Sequence, residues 1–249
     1  MTPLFGHTRT CLKPRHALIT PDSHVASALP GVEKVRVVAH ITPAMGAGLA
    51  QLSLTFAEAG GVARFPAHAQ QAVLYVTSGA VKCRAGSEST QLEAGAFAYV
   101  SESDALELSF AGEPGQVTVF QKKYVPSPGL KPPASFFGLS AKVQGQPFLG
   151  NPKALLQVLL PEDPAFDLAV NIFTYQPGAT LPFVETHVME HGLLMLAGQG
   201  VYRLEDSWYP VTAGDIIWMA PYCPQWFVAM GDEPASYLYY KDVNRPALP

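Results

Sequence analysis

Gly178-Ala-Thr-Leu-Pro-Phe-Val-Glu185-Thr-His187-Val-Met-Glu-His191-Gly-Leu-Leu-Met-Leu-Ala-Gly198, followed by Gly214-Asp-Ile-Ile-Trp-Met-Ala-Pro-Tyr-Cys-Pro-Gln225, is the part of the chain whose reading decides the fold. Glu185 and His187 are two residues apart, so in extended chain both point to one face. His191 is four residues further on and would lie ~13 Å from His187 in a continuous strand rising ~3.3 Å per residue. A tight reversal around Val188 to Glu190 is needed to return it on a neighbouring strand. Gln225 opens a later strand after a turn bracketed by Pro221 and Pro224. Together these give one carboxylate, two imidazoles and one amide oxygen. A nitrogen and oxygen set without thiolate suits a divalent ion such as Mn, Fe, Ni or Zn, with positions open for water or substrate.

Two other readings stand beside this one. His187 and His191 have the spacing of two ligands on one helical turn, but Val188 breaks the His-Glu-x-x-His pattern, and Pro182 and Gly192 flank the segment. The same residues also read as polar groups at a barrel mouth that holds no metal.

Short runs of β character extend on both sides. They are Val35 to Ile41, Leu49 to Phe56, Val73 to Val76, Ala96 to Val100 and Leu106 to Phe110. A second set is Leu155 to Leu160, Leu168 to Tyr175, Leu193 to Leu196, Asp215 to Met219 and Ser236 to Tyr240. Pro30-Gly31, Gly60-Gly61, Pro177-Gly178 and Gly231-Asp232 separate them as turns. No long capped segment has a helical period, so the expected fold is all-β, a sandwich or barrel.

The chain then repeats itself. A slide of 119 residues lays Gly79 on Gly198, Gly95 on Gly214, Lys122 on Lys241 and His68 on His187. An offset of this length predicts two tandem domains rather than a solenoid. Residues 1–124 form the first, 125–152 a Pro-, Gly- and Ser-rich connection, and 153–249 the second. In the first copy Pro66, Ala72 and Leu106 stand where Glu185, His191 and Gln225 stand in the second. One surviving histidine does not hold a metal, so His68 is expected to be a hydrogen-bonded core or rim residue.

The 249 residues carry 16 basic and 20 acidic side chains, which gives no basic field for nucleic acid or anionic lipid. No apolar run approaches the ~20 residues of a membrane helix, and Met1 to His16 lack an apolar stretch of signal length. Three cysteines without a Cys-x-x-Cys suit a reducing, cytoplasmic setting. Charged residues are only 14%, which favours a surface partly covered by another copy, hence a homo-oligomer.

The pattern Gly-x6-Glu-x-His-x3-His-x6-Gly, then Gly-x10-Gln, resembles the two signature motifs of the cupin superfamily. More narrowly, Glu185-Thr-His187-Val-Met-Glu-His191-Gly, Gly198-Gln-Gly-Val-Tyr202 and Tyr237-x3-Lys241-Asp-Val-Asn-Arg245 resemble the (S)-ureidoglycine aminohydrolase family. Leu18-Ile-Thr-Pro-Asp22 and Ile41-Thr-Pro-Ala-Met-Gly46 are similar to its N-terminal half. The resemblance implies a bicupin of two antiparallel jelly-roll (double-stranded β-helix) barrels. It implies metal ligands at Glu185, His187, His191 and Gln225, and one Mn2+ per chain in the second barrel only. It also implies substrate contacts at Tyr202, Tyr237 and Lys241, with Lys241 and Glu185 moving protons as a small ureido substrate loses ammonia to water. A quercetinase-type dioxygenase and a non-catalytic binding or storage bicupin are the competing expectations. Gln225, where dioxygen-activating bicupins usually place histidine, separates the first from the hydrolase, and the intact donor set argues against the second.

Overall fold

The computed structural model describes residues 7–245. Among these residues strands dominate, relieved by three short 3-10 turns at Pro21–Ser23, Pro43–Met45 and Ser140–Lys142. Each stretch read as β from the sequence lies on a strand to within one or two residues, from Arg36–Ile41 to Ala235–Asp242. The architecture is two jelly rolls. A nine-stranded sheet holds the first half, and an eight-stranded sheet faced by a three-stranded one holds the second.

The corners explain the repeat. In the first half, Gln71–Ala85 and Leu106–Lys122 pair antiparallel along most of their length, with register shifts between Phe110 and Val117. The bend falls at Gly79, whose φ is +61° and whose added Cβ would sit 1.8 Å from the Pro114 carbonyl oxygen. In the second half the matching path is cut in two at Gly198, between His191–Ala197 and Gln199–Leu204. Gly198 has φ +70°, and its Cβ would lie 2.4 Å from the Pro234 oxygen. The next glycine pair obeys the same offset, because Gly95 N donates to Val76 O and Gly214 N donates to Met195 O, each at 2.9 Å. Only a residue without Cβ meets both demands, left-handed backbone and close approach.

Strand pairing crosses the divisions at 124 and 153 in three places. His16–Ile19 pairs with Ile216–Met219 and so joins the sheet of the second half. Phe136–Leu139, within the connection, adds to the first half's sheet through Ala96–Val100. The third is the short strand Gln146–Phe148, which pairs with Asn151–Val158. The first exchange buries Ala17 and Leu18 against opposite faces of the second half, and the second places Phe136 against Phe97 and Tyr99.

Strands at the junction bury both faces, which is why they read as continuous apolar runs. On Leu168–Tyr175, Val170 and Ile172 pack toward the first half, while Phe173 and Tyr175 pack into the second barrel. On Ala235–Asp242 the split is Leu238 and Tyr240 against Tyr237 and Tyr239. Asp167 is fully buried at this junction and fully paired. Lys122 Nζ reaches its Oδ2 at 2.6 Å, Gln71 Nε2 its Oδ1 at 2.6 Å, and Val125 N its Oδ2 at 2.8 Å. Removing one partner of such a pair leaves an uncompensated buried charge, so the arrangement acts as a fixed clamp between halves.

Two predictions follow from packing. Gly79→Ala should lower unfolding free energy by ~3 kcal/mol, combining backbone strain with overpacking. Gly178→Ala, also at positive φ but with open space around it, should lose only about 1 kcal/mol. Equal losses in chemical denaturation would sink this account of the corner. His40 is buried with Nε2 2.8 Å from Ser53 Oγ, and burial, then His24 and Arg36, push its pKa down to about 3. Its neutral form is therefore the native one, and its contribution is intact above the ordinary imidazole value and lost as pH falls from about 6.5 toward 3. His40→Gln should flatten the acid limb of a stability–pH curve by about one proton; an unchanged slope contradicts it.

Candidate functional site

The site is made by two strand starts, two strand interiors (Gln199–Leu204, which carries Tyr202, and Ala235–Asp242) and one loop. Glu185 lies in a loop that bridges Gln225 antiparallel, Glu185 N donating to Gln225 O at 2.8 Å and Gln225 N to Glu185 O at 2.9 Å. Gln225 begins Gln225–Met230 and His191 begins His191–Ala197. Between His187 and His191 the chain bends back, and the two imidazoles stack with centroids 4.5 Å apart. Tyr222 N holds the turn from the far side by donating to His187 O at 2.7 Å. The Ala235–Asp242 strand supplies Tyr237, Tyr239 and Lys241 on one face, at the two-residue period of a strand.

All seven residues expected at the site line one cavity of about 100 Å³: Glu185, His187, His191, Tyr202, Gln225, Tyr237 and Lys241. Lys241 therefore does not point outward, and its counterpart Lys122 has a different job in the clamp with Asp167. His68 sits exposed in a turn with φ +59°, so it is not a core residue, and the hydrogen bond made there is its backbone N donating to Glu102 O rather than one of the imidazole. Cys223 is buried, its Sγ donating to the Pro224 carbonyl at 3.7 Å, and is not among the cavity walls. Asn244 and Arg245 tie the end of the chain down, through Asn244 Nδ2 to Phe166 O and Arg245 Nε to Val125 O, both at 2.9 Å.

The electrostatics follow from burial. Desolvation lowers the pKa of both imidazoles, and Lys241 nearby adds to it, with His187 acting on His191 as well. Both rings are therefore neutral near pH 7. Desolvation raises the Glu185 carboxyl and Lys241 opposes it. Tyr202 and Tyr237 are pushed well up by burial, so both are hydroxyl donors and not phenolates. Tyr202 Oη donates to Gln225 Oε1 at 3.1 Å, and the Tyr175 and Tyr237 hydroxyls meet at 3.1 Å.

As they stand these side chains are not drawn together on one point. Among the described residues no three His, Cys, Asp or Glu side chains are grouped to hold an ion. The chemistry of the donors nevertheless fits a divalent cation. His191 Nε2 and His187 Nδ1 are buried nitrogens without a hydrogen-bond partner. A neutral imidazole carries a proton on one nitrogen and a lone pair on the other; in His187 the lone pair is on Nε2, which accepts from Gln225 Nε2 at 3.2 Å, and a carboxylate and an amide line the same space.

Sequence reasoning missed part of the wall. Tyr239 was within reach, since it falls between Tyr237 and Lys241 in the same alternation. Phe173 stacks on it diagonally at 5.9 Å, its own partner in the pairing of Leu168–Tyr175 with Ala235–Asp242 being Tyr237. Phe148 comes from the segment read as a connection and carried no signal, because its strand, Gln146–Phe148, is three residues long.

Comparison with known proteins agrees with this geometry. Residues 171–240 match the family described as a cupin domain. The (S)-ureidoglycine aminohydrolase of Arabidopsis thaliana is 37% identical over 98% of this chain and 80% of its own length. That of Escherichia coli is 33% identical over 92% of this chain and 88% of its own. The crystal structure of protein Ylba from E. coli superposes with a TM-score of 0.86 at 30% identity, covering 97% of each chain. With the cupin fold and near full-length likeness together, the chain belongs to the (S)-ureidoglycine aminohydrolase family.

Proposed function

We propose that this protein hydrolyses (S)-ureidoglycine to (S)-ureidoglycolate and ammonia, in the cavity of its second barrel. The observation that carries the reading is the convergence of Glu185, His187, His191, Gln225, Tyr202, Tyr237 and Lys241 on one small pocket, in a chain whose relatives bear that name. In this reading Glu185, His187, His191 and Gln225 hold one divalent cation per chain, Mn2+ by family resemblance. When bound, the cation supplies Lewis acidity to orient and polarise the substrate.

The chain's own residues do the rest. Water adds its oxygen to the substrate carbon as the carbon–nitrogen bond to the amine breaks. Glu185 accepts the proton that water gives up. Lys241 hands a proton to the departing amine, which leaves as ammonia, and Glu185 returns one to Lys241. Tyr237, held neutral by burial, donates a hydrogen bond to a substrate oxygen, while Tyr202, whose proton goes to Gln225 Oε1, offers its oxygen as an acceptor. Apolar walls at Phe173, Leu181 and Leu193 keep bulk water out and strengthen each of these contacts.

The reading includes self-association. Trp208 is 57% exposed and Phe183, Val184 and Tyr222 are exposed near it or near the site loop, which is apolar surface of the kind that another copy covers. A cytoplasmic setting suits three cysteines that are all free. No helix among the described residues is long and apolar enough to cross a membrane.

The test separates metal from proton transfer. Purified with Mn2+, the protein should hold about one ion per chain by elemental analysis and release ammonia from enzymatically generated ureidoglycine faster than spontaneous decay, with one enantiomer formed. Lys241→Met should keep the ion and lose roughly 100-fold or more in turnover. His191→Ala should lose the ion itself. Metal loss in Lys241→Met would assign that lysine to structure, and oxygen uptake without ammonia would replace the hydrolase by a dioxygenase.

A further inference from the structure

Beside the small cavity lies a second pocket of about 280 Å³, open toward the exposed loop at Pro161 to Pro164, and Phe148, Tyr239 and Lys241 are walls of both. Asn171 lines the second chamber. It lies opposite Tyr239 in the pairing of Leu168–Tyr175 with Ala235–Asp242, on the face that carries Phe173 and Tyr175 into the barrel. Its side chain is only 4% exposed. Asn171 Nδ2 donates to Tyr239 Oη at 3.0 Å, and Asn171 Oδ1 is buried without a partner.

A buried amide oxygen left without a donor is costly, and folds leave few of them unexplained. Here it faces a space large enough for part of a ligand. Since Tyr239 Oη accepts from Asn171, its own proton is free, and burial keeps that hydroxyl protonated. The pair thus offers one acceptor and one donor side by side. A terminal ureido group is the complement, an N–H donor beside a carbonyl acceptor. Neither residue is drawn into the cation set or the proton steps above.

We propose that Asn171 and Tyr239 form the subsite for the substrate's ureido end, Asn171 Oδ1 accepting from its terminal nitrogen and Tyr239 Oη donating to its carbonyl. The inference rests on the hydrolase reading and assigns substrate selection to the wall between the two chambers. Asn171 is here a specificity residue, and no bond forms or breaks at it.

The test uses two unreactive acids that lack the leaving amine, N-carbamoylglycine and N-acetylglycine. They differ where the ureido NH2 is replaced by a methyl. Bound to the Mn2+-loaded wild-type protein in calorimetric titration, N-carbamoylglycine should be favoured about tenfold, the scale of one buried neutral hydrogen bond. Asn171→Ala should erase that preference while leaving N-acetylglycine within about twofold. Asn171→Asp, which keeps size and an acceptor, should retain the preference. No preference in the wild type overturns the proposal whatever the variants do, and so does a preference that survives in folded Asn171→Ala. The two readings fail separately: a wild type that does not accelerate ammonia release ends the hydrolase assignment, whereas one that does but treats both acids alike ends only the subsite.

Discussion

Three residues, Val188 to Glu190, must turn the chain back between His187 and His191, and the rest of the site depends on that reversal. Extended, the two rings would lie ~13 Å apart; in the structure their centroids are 4.5 Å apart. Glu190 holds the turn. Its carboxylate accepts from Gly48 N at 2.6 Å and from Leu49 N at 3.4 Å, and Tyr240 Oη donates to it at 3.3 Å. Its backbone N donates to Asp242 Oδ1 at 2.5 Å, one residue beyond Lys241. A single acidic residue thus ties the loop to the first half and to the strand that carries the lysine. Burial raises the Glu190 carboxyl and the backbone donors of Gly48 and Leu49 work against that, so the contact is made by directed hydrogen bonds rather than by a solvated charge.

This gives the first half a purpose after the loss of its donors. Pro66, Ala72 and Leu106 stand there where the second half has Glu185, His191 and Gln225, and the first half supplies Gly48 and Leu49 to the loop of the second. It also supplies Lys122, Gln71 and Tyr99 to the network around Asp167. Duplication has left two copies of one corner geometry, with glycines at matching bends, and has divided the work between them. In the proposed reading one copy holds the chemistry in its small cavity, and the other presents a face against which that cavity is built. The apolar faces pressed together at the junction, Phe120 against Tyr240 at 5.0 Å among them, make the two halves one packed unit.

Much of this was legible because it rests on local rules. Strand alternation, turn glycines and the 119-residue offset depend on neighbours along the chain, and so did the grouping of Glu185, His187, His191 and Gln225. What was not legible depends on partners far away in sequence. Nothing in His16–Ile19 says that it will pair with Ile216–Met219, since an edge strand of that composition fits either sheet. Glu190 reads as an ordinary charged loop residue until Gly48 and Leu49 are placed beside it. Asn171 reads as a polar interruption in an apolar strand, and only the barrel shows that it faces inward. Lys122 and Lys241 share a position in the repeat, but Asp167, which separates their roles, belongs to the second copy and meets Lys122 only across the junction.

The central claim is that the donors of the second barrel close around one divalent ion while the first barrel takes none. Anomalous diffraction from crystals grown with Mn2+, recorded above and below the manganese edge, tests it most directly. The account predicts one peak per chain, within bonding distance of Glu185, His187, His191 and Gln225. A peak beside His68, or a fully ordered cavity with none, would contradict it.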